Sequence, residues 1–288
     1  MTQRNPNEIK EFVRQRYSGR AREKLAATQA GATVDSGASC CGPSEAALVE
    51  ATLLDRLYSR DELKGLPEET LMSLGCGNPT AIAQLGPGEV VLDLGSGGGL
   101  DVFLAARQVG SEGKAVGLDM TADMIELARH NAEKVGLANV EFRLGEMESM
   151  PFEDRSFDVI ISNCVINLSP DKDAVFRESY RVLKPGGRFR VSDLVWMREP
   201  SAEERADLAS WAGCVAGALL ADDYQRRLRQ AGFADVRVHL AGEYGQKDVA
   251  SAYIEARRPL VSEPVSIPPS GQAAARAAGD AAGQSGCC

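Results

Sequence analysis

Between residues 90 and 196 the apolar positions alternate between two textures. Short, nearly continuous apolar runs occur at VVLDLG (90–95), KAVGLDM (114–120), VEFRLG (140–145), FDVIISN (157–163) and RFRVSDLVW (188–196). Runs of this length, bounded by turn residues, predict buried parallel strands. Between them, LDVFLAARQVG (100–110), TADMIELARHNAEKVG (121–136) and KDAVFRESYRVL (172–183) carry apolar residues at helical spacing. Thr121 is placed to cap the second of these helices and Gly136 to stop it. Lys184-Pro185-Gly186-Gly187 stops the third. Strand–helix alternation of this kind predicts a parallel sheet with crossover helices, a doubly wound, Rossmann-like α/β fold.

The flanks differ in texture. Residues 8–27 predict an amphipathic helix, 29–44 a small-residue loop holding Cys40 and Cys41, and the stretch to about Met72 a mixed, helical region. After the fifth strand, 203–220 predict an inserted helix that carries Cys214, and 221–231 another. VRVHLA (236–241) and ASAYIEARR (250–258) predict closing strands. Beyond Pro259 the composition collapses to Ala, Gly, Ser and Pro, so residues 263–288 are expected to be a disordered tail. The expected organisation is an N-terminal segment (1–72), a cofactor-binding domain (73–195), an insertion with closing strands (196–262) and the tail.

Composition narrows the function classes. The chain has 288 residues, 44 % of them hydrophobic, and a formal net charge of −9. An acidic protein lacks the positive footprint that nucleic acids and anionic membranes require. No apolar run approaches the ~20 residues of a membrane span. The polar N-terminus has no signal-peptide core, and a cytoplasmic protein is expected. There are seven cysteines, an odd number, and only two histidines, His130 and His239. In a reducing compartment the cysteines should rest as thiols, and a histidine base has few candidates.

The turn after the first strand, Asp93-Leu94-Gly95-Ser96-Gly97-Gly98-Gly99, is the cofactor candidate, since open α/β sheets bind ligands beyond the carboxyl ends of their strands. A dinucleotide fingerprint counted from Gly95 would need a glycine where Leu100 stands. The pattern here is D-x-G-x-G-x-G. Its leading carboxylate would repel a pyrophosphate and suits a cation such as the sulfonium and ammonium of S-adenosylmethionine. Asp119, ending the second strand, is placed for ribose hydroxyls, with Met120 beside it. Gly145-Glu146-Met147, ending the third, is placed for an adenine edge.

Three single cysteines remain. Cys164 follows Asn163 at the end of the fourth strand, Cys76 lies between two glycines in a turn, and Cys214 sits in WAGCVAGALL. Each alone also reads as a small buried hydrophobe; Cys76 fits that reading least. Three thiolates with almost no histidine suit a soft ligand. Structural zinc wants four ligands, usually in C-x-x-C pairs, and no such pair is present. Trivalent arsenic takes three thiolates and keeps a lone pair, which needs no general base to attack an electrophilic methyl.

The segments SLGCGNPTAIAQL (73–85), VVLDLGSGGGLDVFLAA (90–106), VGLDMTADMIELAR (116–129), SNCVINLSPDK (162–172), RVLKPGGRF (181–189) and GCVAGAL (213–219) resemble the bacterial arsenite S-adenosylmethionine methyltransferases. RVLKPGGRF is shared by many class I methyltransferases; the GCGNP and SNCVINLSPDK segments are specific. The resemblance implies the seven-stranded class I methyltransferase sheet with an added arsenic-binding segment. It implies Cys76, Cys164 and Cys214 as arsenic ligands and Cys41 as a fourth redox-active thiol. Asp93, Gly95, Ser96, Gly97, Asp119, Met120, Glu146, Met147 and Asn163 fall on cofactor positions. It further implies arsenite and methylarsenite presented as thiol complexes, no metal cofactor, and glutathione or thioredoxin as reductant. A methyltransferase acting on a quinone or sterol, and a non-catalytic metalloid-binding protein, are the competing expectations; an intact Asp93 and glycine turn argue against the second.

Overall fold

The computed structural model describes residues 5–29, 56–71, 76–243 and 248–260. Cys40, Cys41 and the expected disordered tail, with Cys287 and Cys288, lie outside the described residues. The sheet has strands β1 (Val90–Leu94), β2 (Lys114–Asp119), β3 (Val140–Leu144), β4 (Phe157–Asn163), β5 (Leu183–Trp196), a two-residue β6 (Leu219–Leu220), β7 (Ala234–Glu243) and β8 (Val249–Arg257). Their order is β3-β2-β1-β4-β5-β8-β7, with β6 paired to β5. Strands β3 to β5 run parallel, and β8 and β7 close the edge antiparallel. The expected doubly wound sheet is present. Because β1 lies between β2 and β4, the order reverses at β1, which sets the ligand crevice above its carboxyl end.

Both faces of the sheet are buried, as continuous apolar strands require. On one face Leu92, Leu94, Ile160, Phe176, Phe189 and Tyr224 belong to one core cluster. On the other Val91, Val102, Phe103, Ala106, Val159 and Ile161 form a second. Phe176 meets Phe189 edge-on, with centroids 6.4 Å apart. Among the described residues no helix is long and apolar enough to cross a membrane.

Several elements depart from the sequence pattern. The N-terminal helix α1 (Pro6–Gln29) runs slightly beyond the expected range. Its buried or half-buried Ile9, Val13, Tyr17 and Ala21 recur every four residues, so one stripe faces inward. The mixed region before Met72 holds, among the described residues, helical residues 56–57, a short helix (Arg60–Leu63) and a 3₁₀ turn (Glu68–Thr70). β5 begins at Leu183, directly after the helix Lys172–Val182, and runs through the Pro-Gly-Gly stretch that was expected to separate them. The inserted helix expected over 203–220 is two short helices, Ala202–Ala206 and Leu208–Ala212. Asp207 breaks it: its backbone is extended and its carboxylate accepts from the Ala209 amide at 3.0 Å, starting a second helix. Cys214 therefore lies past the helix end, not on it.

Gly217 shows how tightly the insertion packs. A side chain there would collide with the Asn167 carbonyl and the Trp211 ring, and a backbone carbonyl cannot yield as a flexible side chain can. Gly217→Ala should destabilise the fold by about 1–3 kcal/mol, the usual cost of overpacking, read as a lower denaturant midpoint with an unchanged slope.

Candidate active site

The carboxyl ends of β1, β2 and β4 surround one cavity. Its lining includes Asp93, Gly95, Ser96, Gly97, Asp119, Met120, Met147, Asn163, Cys164 and Cys214, and α1 closes it with Lys10, Val13 and Tyr17. Gly95 and Gly97 hold φ of +73° and +49°, a region that favours glycine, and the Gly95 backbone presses on the Val165 side chain. The turn thus lets backbone line the cavity where side chains would fill it.

The site is acidic. Asp93 is buried and has no hydrogen-bond or ion-pair partner among the described residues. Burial, then the nearby Asp101 and Asp119, push its carboxyl well above the ordinary range. Asp101 is pushed up to about 6 by burial, against hydrogen bonds from Tyr58 and Asn163. Asp119 is raised by burial too, although its oxygens accept from the Gly97 amide at 3.0 Å and the Thr121 amide at 2.9 Å. Those two amides aim the carboxylate. The Ser96 hydroxyl is also buried without a partner. Three acids and an orphaned hydroxyl fit a cationic nucleoside; a pyrophosphate would be repelled. Residues suited to hold S-adenosylmethionine are therefore present.

Glu146 does not share in this. It stays outside the cavity lining, because Lys10 (2.7 Å) and Arg14 (3.3 Å) on α1 hold it in ion pairs. Its neighbour Met147 does line the cavity.

At the rim, the three single cysteines belong to one buried cluster, in which only the Cys76 and Cys164 sulfurs lie together. Cys76 and Cys164 form a disulfide with Cα atoms 5.8 Å apart. Cys214 is a free thiol that donates to the Cys164 carbonyl at 2.5 Å. All three are 4–5 % exposed. Cys76, which fitted the reading of a buried residue least, is thus as buried as the other two. Gly77 lets the chain sink against β5, since a side chain there would strike Ser192 and Tyr253. The expectation of resting thiols is met by Cys214 but not by the bonded pair. Burial, and secondarily Asp193, push the Cys214 thiol far up. Cys164 and Cys214 both adopt positive φ, +60° and +65°, strained for residues with a Cβ and typical of functional sites.

Asn163 ties these parts together. Its amide nitrogen donates to the Gly77 carbonyl (2.8 Å) and the Tyr58 hydroxyl (2.9 Å), and its oxygen accepts from the Cys76 amide (3.1 Å). Tyr58 in turn donates to Asp101 (2.9 Å). Sequence reasoning missed Tyr58, Asp101, Tyr17, Asp193 and Lys172. Asp101 offered a faint signal, one residue into the helix after the glycine turn, but an acid there also reads as a helix-terminus charge. Buried Lys172 donates to the Asn167 (3.2 Å) and Ser169 (2.7 Å) carbonyls, and burial lowers its ammonium to about 8 against the pull of Asp193.

Comparison with known proteins agrees with this geometry. Residues 85–232 match the model of a methyltransferase domain family. An arsenite methyltransferase of Halobacterium salinarum is 42 % identical over 274 residues, covering 89 % of this chain and 68 % of that protein. One from Aquipseudomonas alcaligenes is 42 % identical over 69 % of this chain and 57 % of its own length. The chain thus spans between about half and two thirds of these relatives. The crystal structure of CrArsM, an arsenic(III) S-adenosylmethionine methyltransferase from Chlamydomonas reinhardtii, superposes with a TM-score of 0.58 at 36 % identity, covering 73 % of each chain. With a methyltransferase sheet, an acidic crevice and three cysteines in one buried cluster, the chain belongs to the arsenite methyltransferase family.

Proposed function

We propose that this protein transfers methyl groups from S-adenosylmethionine to trivalent arsenic held on its own thiols. The observation that carries the reading is that Cys164 and Cys214 line the acidic cavity, with Cys76 bonded to Cys164 and the Cys214 thiol on the Cys164 carbonyl. In this reading the domain containing residues 73–195 holds the cofactor, and the segment 196–262 supplies the third thiol.

When bound, S-adenosylmethionine supplies an electrophilic methyl carbon on a sulfonium. Asp119, aimed by two backbone amides, would hold the ribose hydroxyls, and Asp93 and Asp101 would meet the cationic end. Cys164 and Cys214 line the cavity; Cys76 stands behind them. Arsenite arrives as a thiol complex and exchanges onto the protein sulfurs, whose protons pass to the departing thiols. The arsenic lone pair then attacks the methyl carbon, so the protein need not provide a general base. Methylation takes arsenic formally from the trivalent to the pentavalent state. Two protein thiolates give up two electrons, form a disulfide and return it to the trivalent state. The Cys76–Cys164 bond is what that step would leave. A dithiol reductant of the thioredoxin class, or glutathione, would reopen it, with Cys41 as an intermediate thiol, in a cytoplasmic setting.

Incubating the reduced protein with arsenite and S-adenosylmethionine, then identifying arsenicals by mass spectrometry, tests the reading; methylated arsenic is expected, and its absence overturns it. Asp119→Ala should weaken S-adenosylmethionine binding by about 1.5–3 kcal/mol through loss of a charge-assisted bond, while arsenite binding stays near wild type; calorimetry with each ligand separates the two. The acid cluster also sets a pH dependence. A carboxyl whose pKa is raised loses its charge early as pH falls, so S-adenosylmethionine affinity should decline as pH drops through about 6, where Asp101 protonates. An affinity flat from pH 8 to 5 would remove the charge argument. Finally, a methyl group leaves arsenic only two positions for sulfur. Cys164→Ser and Cys214→Ser should abolish methylation of arsenite and methylarsenite, a hydroxyl being a poor ligand for a soft centre. Cys76→Ser should abolish the first step and keep part of the second, as product speciation would show.

A further inference from the structure

Asp193 is the buried acid that methyl transfer does not use. It sits on β5, fully buried. Its oxygens accept from the Leu194 amide at 3.0 Å and meet the Tyr224 hydroxyl at 3.4 Å. Among the described residues no cation forms an ion pair with it; Lys172 spends its hydrogen bonds on two carbonyls. A carboxylate oxygen of Asp193 and the sulfurs of Cys76 and Cys164 all lie within 4.8 Å of one another.

We infer that, once the Cys76–Cys164 disulfide is reduced, these two sulfurs and the Asp193 carboxylate bind a divalent cation of the zinc type. Two thiolates and a carboxylate are a donor set that zinc accepts. Its bond lengths place such donors about 3.5–3.8 Å apart around a tetrahedral ion, so once the disulfide is reduced the two sulfurs need to separate while the carboxylate oxygen stays within reach of both. Binding replaces two thiol protons, which leave to solvent, and neutralises an acid that, among the described residues, has no ion-pair partner within salt-bridge distance. The fourth position stays open on the cavity side, where Cys164 is reached. The set differs from the proposed arsenic ligands in one member. Trivalent arsenic takes a third sulfur, from Cys214, and has no use for a hard oxygen; a zinc-type dication takes the oxygen. Because Cys76 and Cys164 serve both, the two occupants exclude each other. That competition rests on the arsenic reading; the cation site itself does not.

The test uses the full chain, reduced with a phosphine in metal-free buffer. Co(II) is titrated and followed by absorption, and the Zn(II)-loaded wild type is examined by X-ray absorption. One cation per chain is expected, with two sulfur neighbours and the remainder oxygen. Cys76→Ser should lose Co(II) binding and Cys214→Ser should keep it. Asp193→Asn should weaken binding by about tenfold to a hundredfold, the range that even an outer partner of a zinc ligand is worth, while arsenite affinity changes less than about threefold. Three sulfur neighbours, loss of binding in Cys214→Ser, or no cation binding at all would overturn the proposal. The X-ray absorption measurement needs no variant, so it decides the case even if Asp193→Asn does not fold. If Zn(II) binds as stated but arsenite does not bind, the arsenic reading fails and the cation site stands.

Discussion

One amide holds the site in place. Asn163 ends β4 and joins the Cys76–Gly77 loop, the Tyr58 hydroxyl and, through it, Asp101. These groups come from segments far apart in sequence, and only an amide offers a donor and an acceptor side by side to serve them. A carboxylate would lack the donor and a hydroxyl the reach. The residue is half-buried, so a lost bond would leave the polar atoms it serves unsatisfied in a region with little water to replace it. The distance between the cofactor acids and the Cys76 loop is therefore set by a side chain that belongs to neither.

Around that anchor the protein gathers negative charge where it is least comfortable. Asp93 and Asp101 are buried and Asp119 is half-buried, and each has its carboxyl raised by loss of solvent. Lys10, the lysine at the cavity, is already engaged by Glu146 and Glu148. The fold thus leaves the acids without a cation among the described residues, and the Asp93 carboxylate without any hydrogen-bond partner there. A cationic cofactor relieves this repulsion and an anionic one worsens it, so selectivity is present before any shape is considered. The cost is carried by the large apolar clusters on both faces of the sheet.

The parallel strands were legible because each is an apolar run closed by turn residues, and β1, β2 and β4 begin and end where the pattern puts them, to within a residue or so. The acids at their ends followed from topology alone. What stayed hidden depends on three-dimensional packing. Asp193 sits in the apolar run RFRVSDLVW and nothing local marks it as facing two sulfurs. The glycines around Cys76 argued against a buried residue, yet Gly77 lets the chain press against Ser192 of β5 and Tyr253 of β8. Cys214 looked helical by periodicity, which weighs side chains and overlooks the Asp207 cap and the left-handed turn that follow. Glu146 stood in the expected register of a base-edge contact, but two cations on a helix more than a hundred residues away in sequence claim it.

That helix has its own consequence. α1 presents Val13 and Tyr17 to the cavity and is fastened across it by Lys10 and Arg14 to Glu146, and by Arg22 to Asp123. The helix is held there by a hydrophobic stripe and by partly exposed ion pairs. Such pairs are weak and salt-screened, whereas the stripe is not. Ionic strength therefore loosens the fastening of α1 across the cavity while leaving its apolar contacts in place.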